Sequence, residues 1–244
     1  MTFSPRFISV CLFAVATVSM FTPLAVRADD KASPAAPTGE AVLKELKSGN
    51  ERFVAGKATH PHADINRVID TSKGQKPVAA VLACSDSRVS PELVLDQGIG
   101  DVFVVRVAGN VADTDELGSM EYATEHLHTP LLVVMGHTKC GAVTACVENA
   151  SLEGCIPALI AHIKPALDRS QNAKTSLGKD QFLDKVIKEN IWESVEYMLK
   201  KSEVVRKLVT SGKLTVVGGV YDIATGKIDW MGSHPNQAQL VAAK

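Results

Sequence analysis

VAAVLACSDSR, residues 78–88, passes without a break from an apolar run into a thiol, a carboxylate and a guanidinium. The run is short and has no polar face, so it reads as a strand buried on both sides, as in a parallel sheet. Three more runs have the same character: Val102 to Val107, Leu131 to Met135 and Leu214 to Val220. Between them, SPELVLDQG (90–98), GSMEYATEHLH (118–128) and GAVTACVEN (141–149) carry helical spacing. This alternation predicts an α/β fold, a mainly parallel sheet of about four strands flanked by helices. A longer amphipathic stretch, Ile187 to Thr210, stops before Ser211-Gly212 and feeds the fourth strand. Gly39 to Ala55 predicts an N-terminal helical arm with Val42, Leu43, Leu46 and Phe53 as its apolar stripe.

The chain has 244 residues, 45% apolar, 22% charged and 5% aromatic. That is an ordinary globular profile, and it excludes collagen-like, disordered and disulfide-scaffold classes. Lys plus Arg number 26 against 27 Asp plus Glu, a net charge of −1, so no broad basic field invites nucleic acid. Met1 to Ala28 contain no acid, carry Arg6, run through FISVCLFAVATVSMF and end in Val26-Arg27-Ala28. This is the layout of a cleavable secretory signal peptide, and Pro23 interrupts it as a membrane anchor. It predicts export, to the periplasm in a Gram-negative host, with no stable membrane span after cleavage. Residues 29–38 read as a disordered leader, 39–235 as a single domain and 236–244 as a C-terminal tail. No internal repeat is visible.

The chemistry gathers where the strands end, which is where open α/β sheets bind ligands. If the backbone stays extended after the first strand, Cys84, Asp86 and Arg88 project to one side and the two serines to the other. The third strand runs into Gly136-His137-Thr138-Lys139-Cys140, where His137 and Cys140 are close enough to grip one ion. Two thiolates and one imidazole make a zinc set with a fourth position for water. Asp86 either fills that position, closing the site, or is held by Arg88 through two hydrogen bonds, leaving it open. The segment Gly141 to Glu148 presents a helix N-terminus near Cys140, which favours a thiolate or an anion. Inert thiols or a disulfide would leave the neighbouring Asp-x-Arg and His-x-x unexplained. A purely structural zinc on Cys84, Asp86, His137 and Cys140 stays open, although structural sites seldom use a carboxylate.

CSDSR (84–88) followed by HTKC (137–140) resembles the β-class carbonic anhydrases. LKELKSGNERFVAG (43–56), FVVRVAGN (103–110), GSMEYA (118–123) and VVGGVYDIATG (216–226) also look like this family. The resemblance covers most of the chain from Leu43 to Gly226. It implies one zinc per chain on Cys84, His137 and Cys140, with Asp86 and Arg88 as the catalytic dyad that opens the metal to water. It also implies a substrate pocket that includes Gln75, Phe103 and Tyr122, although sequence alone reads both aromatics as core residues. The implied reaction is the reversible hydration of carbon dioxide to bicarbonate and a proton by a zinc-bound hydroxide, a lyase activity. Acidification of bound water near neutral pH is the established behaviour of zinc in carbonic anhydrases. The family pocket lies at a subunit interface, so the resemblance implies a homodimer or homotetramer. Some members have an inhibitory bicarbonate site that uses a tryptophan three residues before the first zinc cysteine. Val81 stands there, and Arg106 matches another residue of that site. An enzyme open at neutral pH is therefore expected.

Two other readings keep the zinc: hydrolysis of carbon disulfide or carbonyl sulfide on the same scaffold, and a non-catalytic zinc-binding protein with a closed site. A thiol redox protein is a third, but there is no C-x-x-C. His126 and His128, as well as His60 and His62 in HPHAD, read as surface residues. Cys146 and Cys155 are compatible with a disulfide or with free thiols.

Overall fold

A computed structural model describes residues 36–242. The expected signal peptide, Cys11 and most of the expected leader lie outside these residues. Thr38 caps α1 (Gly39–Val54) through its side chain. Then come α2 (Ile65–Thr71), β1 (Ala79–Ala83), α3 (Pro91–Val94) and β2 (Val102–Arg106). A three-residue 3₁₀ turn, Ala108–Asn110, leads to α4 (Thr114–Glu121), which runs on into a π-helical turn at Tyr122–His126. β3 (Leu131–His137), α5 (Gly141–Val147), α6 (Ile156–Ala161), α7 (Lys164–Ser170), α8 (Lys179–Lys201) and α9 (Glu203–Thr210) follow. β4 (Thr215–Tyr221), β5 (Ile228–Gly232) and α10 (Gln237–Ala242) complete the described chain.

The strand order is β2-β1-β3-β4-β5, with the first four parallel and β5 antiparallel to β4. All four expected strands are present, so the sheet corrects the expected number by one. β5, IDWMG, is an edge strand with only Ile228 buried, and it has no continuous apolar run to announce it. The chain leaves β1 for β2 on one side and returns to β3 on the other. The carboxyl ends of β1 and β3 therefore meet at the switch point of the sheet, in register Ala83↔Met135.

Side chains alternate between the two faces, as a strand covered on both sides requires. Ala80, Leu82, Leu132, Val134 and Val216 face a core shared with Val186, Ile187, Ile191 and Val195 of α8. Val81, Ala83, Leu131, Val133 and Met135 face the other core, with Val42 and Leu46 of α1 and Val94 and Leu95 from the α3 region. α8 lies close to the sheet because Gly136 and Gly218 have no side chains. A Cβ on either would come within 2.9 Å of Ile191.

The expected helix from Ile187 to Thr210 is two helices. It starts earlier, at Lys179, and breaks at Ser202, whose extended backbone and side chain cap α9 through the Val205 N–H. Residues 237–242, past the expected boundary at 235, form α10, and its Leu240 and Val241 pack against the core around α8. Among the described residues no helix is long and apolar enough to cross a membrane.

Candidate metal centre

β1 ends at Ala83 and delivers Cys84, while β3 ends at His137. A left-handed residue, Lys139 (φ 55°), then turns the chain so that Cys140 opens α5 beside them. The two sulfurs and a ring nitrogen of His137 all lie within 4.8 Å of one another, and all three residues are buried. The sulfurs are 4.0 Å apart.

His137 Nδ1 lies 2.9 Å from the Thr138 carbonyl. That bond assigns the proton to Nδ1 and leaves the Nε2 lone pair facing the sulfurs. Nε2 is buried and, among the described residues, has no hydrogen-bond partner. An orphaned acceptor of this kind costs about 1–3 kcal/mol, and a metal ion would offset it. The two soft sulfurs and the borderline imidazole complete a donor set that fits zinc.

The Cys140 thiol lowers the pKa of the Cys84 sulfur below the ordinary thiol value, against burial and with help from the Gly109 and Asp86 N–H groups. Those N–H groups reach the sulfur at 3.2 Å and 3.4 Å. Cys140 is pushed far up, first by its bond to Cys84 and then by burial. The α5 N–H groups of Val143 and Ala142 act in the opposite direction on Cys140.

Asp86 and Arg88 form the expected fork. Arg88 Nε donates to Asp86 Oδ1 at 2.9 Å, Nη2 to Oδ2 at 2.7 Å, and the Arg88 backbone N–H to Oδ1 at 2.9 Å. The Arg88 guanidinium holds the carboxyl well below the usual carboxylate range, against a smaller opposing effect of burial. Asp86 Oδ2 stands 3.8 Å from His137 Nε2. The carboxylate therefore borders the cluster while committed to arginine. Arg106 is also committed: its Nε donates to the Cys84 carbonyl at 3.1 Å and its Nη2 to the Asp86 carbonyl at 2.7 Å. Val81 is fully buried in the core.

Gln75, Phe103 and Tyr122 are not brought to this cluster within one chain. Gln75 is exposed in the segment leading into β1, at the opposite end of that strand from Cys84. Phe103 pairs with Ala80, roughly 10 Å back along the sheet from the level of Arg106 at about 3.3 Å per residue. Its ring centroid lies 6.2 Å from that of Tyr122, which is 47% exposed and stacks on His126 at 5.5 Å. The core reading of Tyr122 is thereby corrected, whereas Phe103 is half-buried against the core.

His126 and His128 are on the surface, and His62 pairs with Asp101 at 2.7 Å. Among the described residues Cys146, buried, and Cys155, exposed, are both free thiols. Sequence reasoning missed Gly109 as a donor to sulfur. The Gly-Asn pair after β2 signals a positive-φ turn, but not what the turn faces.

Residues 79–228 match the family model for carbonic anhydrase. Carbonic anhydrase 2 of Mycobacterium tuberculosis is 38% identical over 190 residues, which covers 77% of this chain and 90% of that protein. The β-carbonic anhydrase CafA of the fungal pathogen Aspergillus fumigatus superposes with a TM-score of 0.67 at 26% identity, over 82% of this chain and 95% of the other. Tetrameric β-carbonic anhydrases of Sordaria macrospora share the fold, with a TM-score of 0.65 at 22% identity over 79% of this chain and 98% of the other. The matched region contains β1 to β4 and every residue of the buried sulfur and imidazole cluster, and on that ground the chain belongs to the β-class carbonic anhydrase family.

Proposed function

We propose that the chain hydrates carbon dioxide reversibly to bicarbonate and a proton, with zinc held by Cys84, His137 and Cys140. The observation that carries this reading is the convergence of these three ligand atoms within 4.8 Å beside an arginine-held carboxylate. Zinc, when bound, supplies a Lewis acid that makes a hydroxide nucleophile available near neutral pH.

The protein's own groups do the rest. Asp86 Oδ2, which borders the cluster, accepts a hydrogen bond from the attacking water and fixes its direction. Arg88 keeps that oxygen in place and unprotonated. Its grip on Asp86 favours the open site over a closed zinc-binding protein.

Carbon dioxide is small and nonpolar, and it needs an apolar pocket with one polar group to orient it. Phe103, Tyr122 and Gln75 suit that role. Their position away from the cluster supports a pocket completed by a second copy of the chain, hence a homodimer or larger homo-oligomer. The exposed apolar residues Ile65, Val68 and Ile69 of α2, the helix that precedes Gln75 in the chain, suit such contact. Periplasmic export rests on the sequence of residues 1–28.

Stopped-flow hydration by the zinc-loaded protein, at neutral and mildly alkaline pH, tests the reading. Activity at both pH values that disappears in Cys84→Ser is expected. A protein that binds one zinc per chain and shows no activity at either pH would overturn it.

A further inference from the structure

The interior of α8 contains two polar residues among apolar neighbours such as Ile187, Ile191 and Val195. Asn190 and Ser194, one turn apart, are both buried. Asparagine is a poor helix former, and among the described residues Asn190 Oδ1 has no hydrogen-bond partner. Neither helix formation nor core packing accounts for it.

What these side chains do touch is the turn behind the metal cluster. Asn190 Nδ2 donates to the Gly109 carbonyl at 2.7 Å, and Ser194 Oγ to the Asn110 carbonyl at 2.9 Å. The turn is left-handed at both residues, Gly109 at φ 75° and Asn110 at φ 44°. A Cβ on Gly109 would come 2.9 Å from Ile163 and 3.2 Å from Ala142. Asn190 thus holds Gly109 from its carbonyl side, on the peptide whose Asn110 N–H donates to the Val107 carbonyl at 3.0 Å. From the other side of the same residue the Gly109 N–H meets the Cys84 sulfur at 3.2 Å.

The geometry points to Asn190, seconded by Ser194, as a positioning residue that acts through the Gly109 N–H on the Cys84 sulfur and so sets the strength of the metal–sulfur bond. The physical basis is general. An N–H donor to a ligating sulfur withdraws charge from it and fixes its direction, and partners of this kind typically change metal affinity by about 10- to 100-fold. A turn released from α8 can rotate its peptides and withdraw that donor. The inference rests on the zinc reading above and adds to it the group that tunes the site.

The test uses the full protein loaded with zinc or cobalt(II). Asn190→Leu removes the donor with little change of volume, and Ser194→Ala removes only a hydroxyl. Ile187→Val trims a core side chain of the same helix that makes no hydrogen bond to the turn. Zinc affinity is measured by competition with a chromophoric chelator, and the sulfur-to-cobalt charge-transfer band is recorded by absorption. N190L is expected to weaken zinc binding by about 10- to 100-fold and to shift the band, with S194A changing both in the same direction and I187V changing neither. If N190L does not fold, the S194A result decides. Wild-type affinity and an unshifted band in the folded variants would overturn the inference and leave the zinc reading intact. The same changes in I187V would also overturn it, by showing that metal retention merely follows the stability of α8. A wild-type protein that binds neither metal would overturn both readings.

Discussion

At the scale of single residues the site depends on what Arg88 does to Asp86. The fork of two side-chain bonds fixes both carboxylate oxygens, and the backbone N–H adds a third contact. A lysine at this position would keep the charge but hold at most one oxygen, leaving the carboxylate free to turn toward the cluster. Arg88→Lys is therefore expected to lower kcat by about 10- to 100-fold through misdirection of the acceptor, with zinc content unchanged. Stopped-flow rates alongside metal analysis check this, and loss of zinc from the variant would contradict it. Asp96 makes the matching case for stability. Its fully buried carboxylate accepts from Arg52 Nε at 2.6 Å, from the Thr59 N–H and hydroxyl, and from the His60 N–H at 2.8 Å. Burial alone would raise its pKa, but these donors outweigh burial and lower it below the ordinary 3.8. A carboxyl with a depressed folded pKa stabilises the protein above its unfolded pKa and loses that contribution as the pH falls. Asp96→Asn should cost about 3 kcal/mol at pH 7, a deficit that shrinks as the pH falls below about 4, where the carboxyl of the unfolded wild-type chain protonates while that of the folded chain stays ionised. Denaturant unfolding of both proteins across that range measures it.

At the scale of elements, the contact between α8 and the sheet shows what packing demands of β3. Gly136 sits one residue before His137, and its missing side chain is the space that Ile191 fills. Gly136→Ala is expected to cost about 1–3 kcal/mol by overpacking, with part recovered when Ile191→Val trims the opposing side chain. Thermal unfolding of the single and double variants reads both effects, and full additivity would show that the two residues do not compete for the space. Parallel strands buried on both faces leave continuous apolar runs, so β1 to β4 could be read directly from sequence. β5 could not, because an edge strand mixes Asp229 and Trp230 with half-buried positions. The break at Ser202 was equally hidden: a serine inside an amphipathic stretch looks helical until its side chain is seen capping the next helix. Cys84, Asp86, Arg88, His137 and Cys140 were legible because their chemistry lies in two short segments. Asn190 and Gly109 were not, since their relation spans 81 residues and exists only once α8 has docked.

At the scale of the whole molecule the two halves of the proposed site lie at opposite ends of the same strands. Cys84 follows the carboxyl end of β1, whereas Gln75 precedes its start and Phe103 stands near the start of β2. A rigid five-residue strand cannot fold these ends together, so a chain that uses both sets must use them in different sites. The proposed two-fold dimer would resolve this, because a symmetry that placed the Gln75 end of one copy over the metal end of another would do so twice. The arrangement makes a quantitative prediction about mixed dimers. Cys84→Ser disables a chain's metal end and spares its Gln75 end, and Gln75→Ala does the reverse. Each variant alone has no intact site. A dimer with one chain of each kind has one site in which an intact metal end meets an intact Gln75 end, and a second in which both are altered. If pairing is random, half of the dimers are mixed, so coexpression should restore about a quarter of wild-type activity per dimer. If each chain instead used its own Gln75, the mixture would show no more than the sum of the separate variants, because no chain would carry both intact residues.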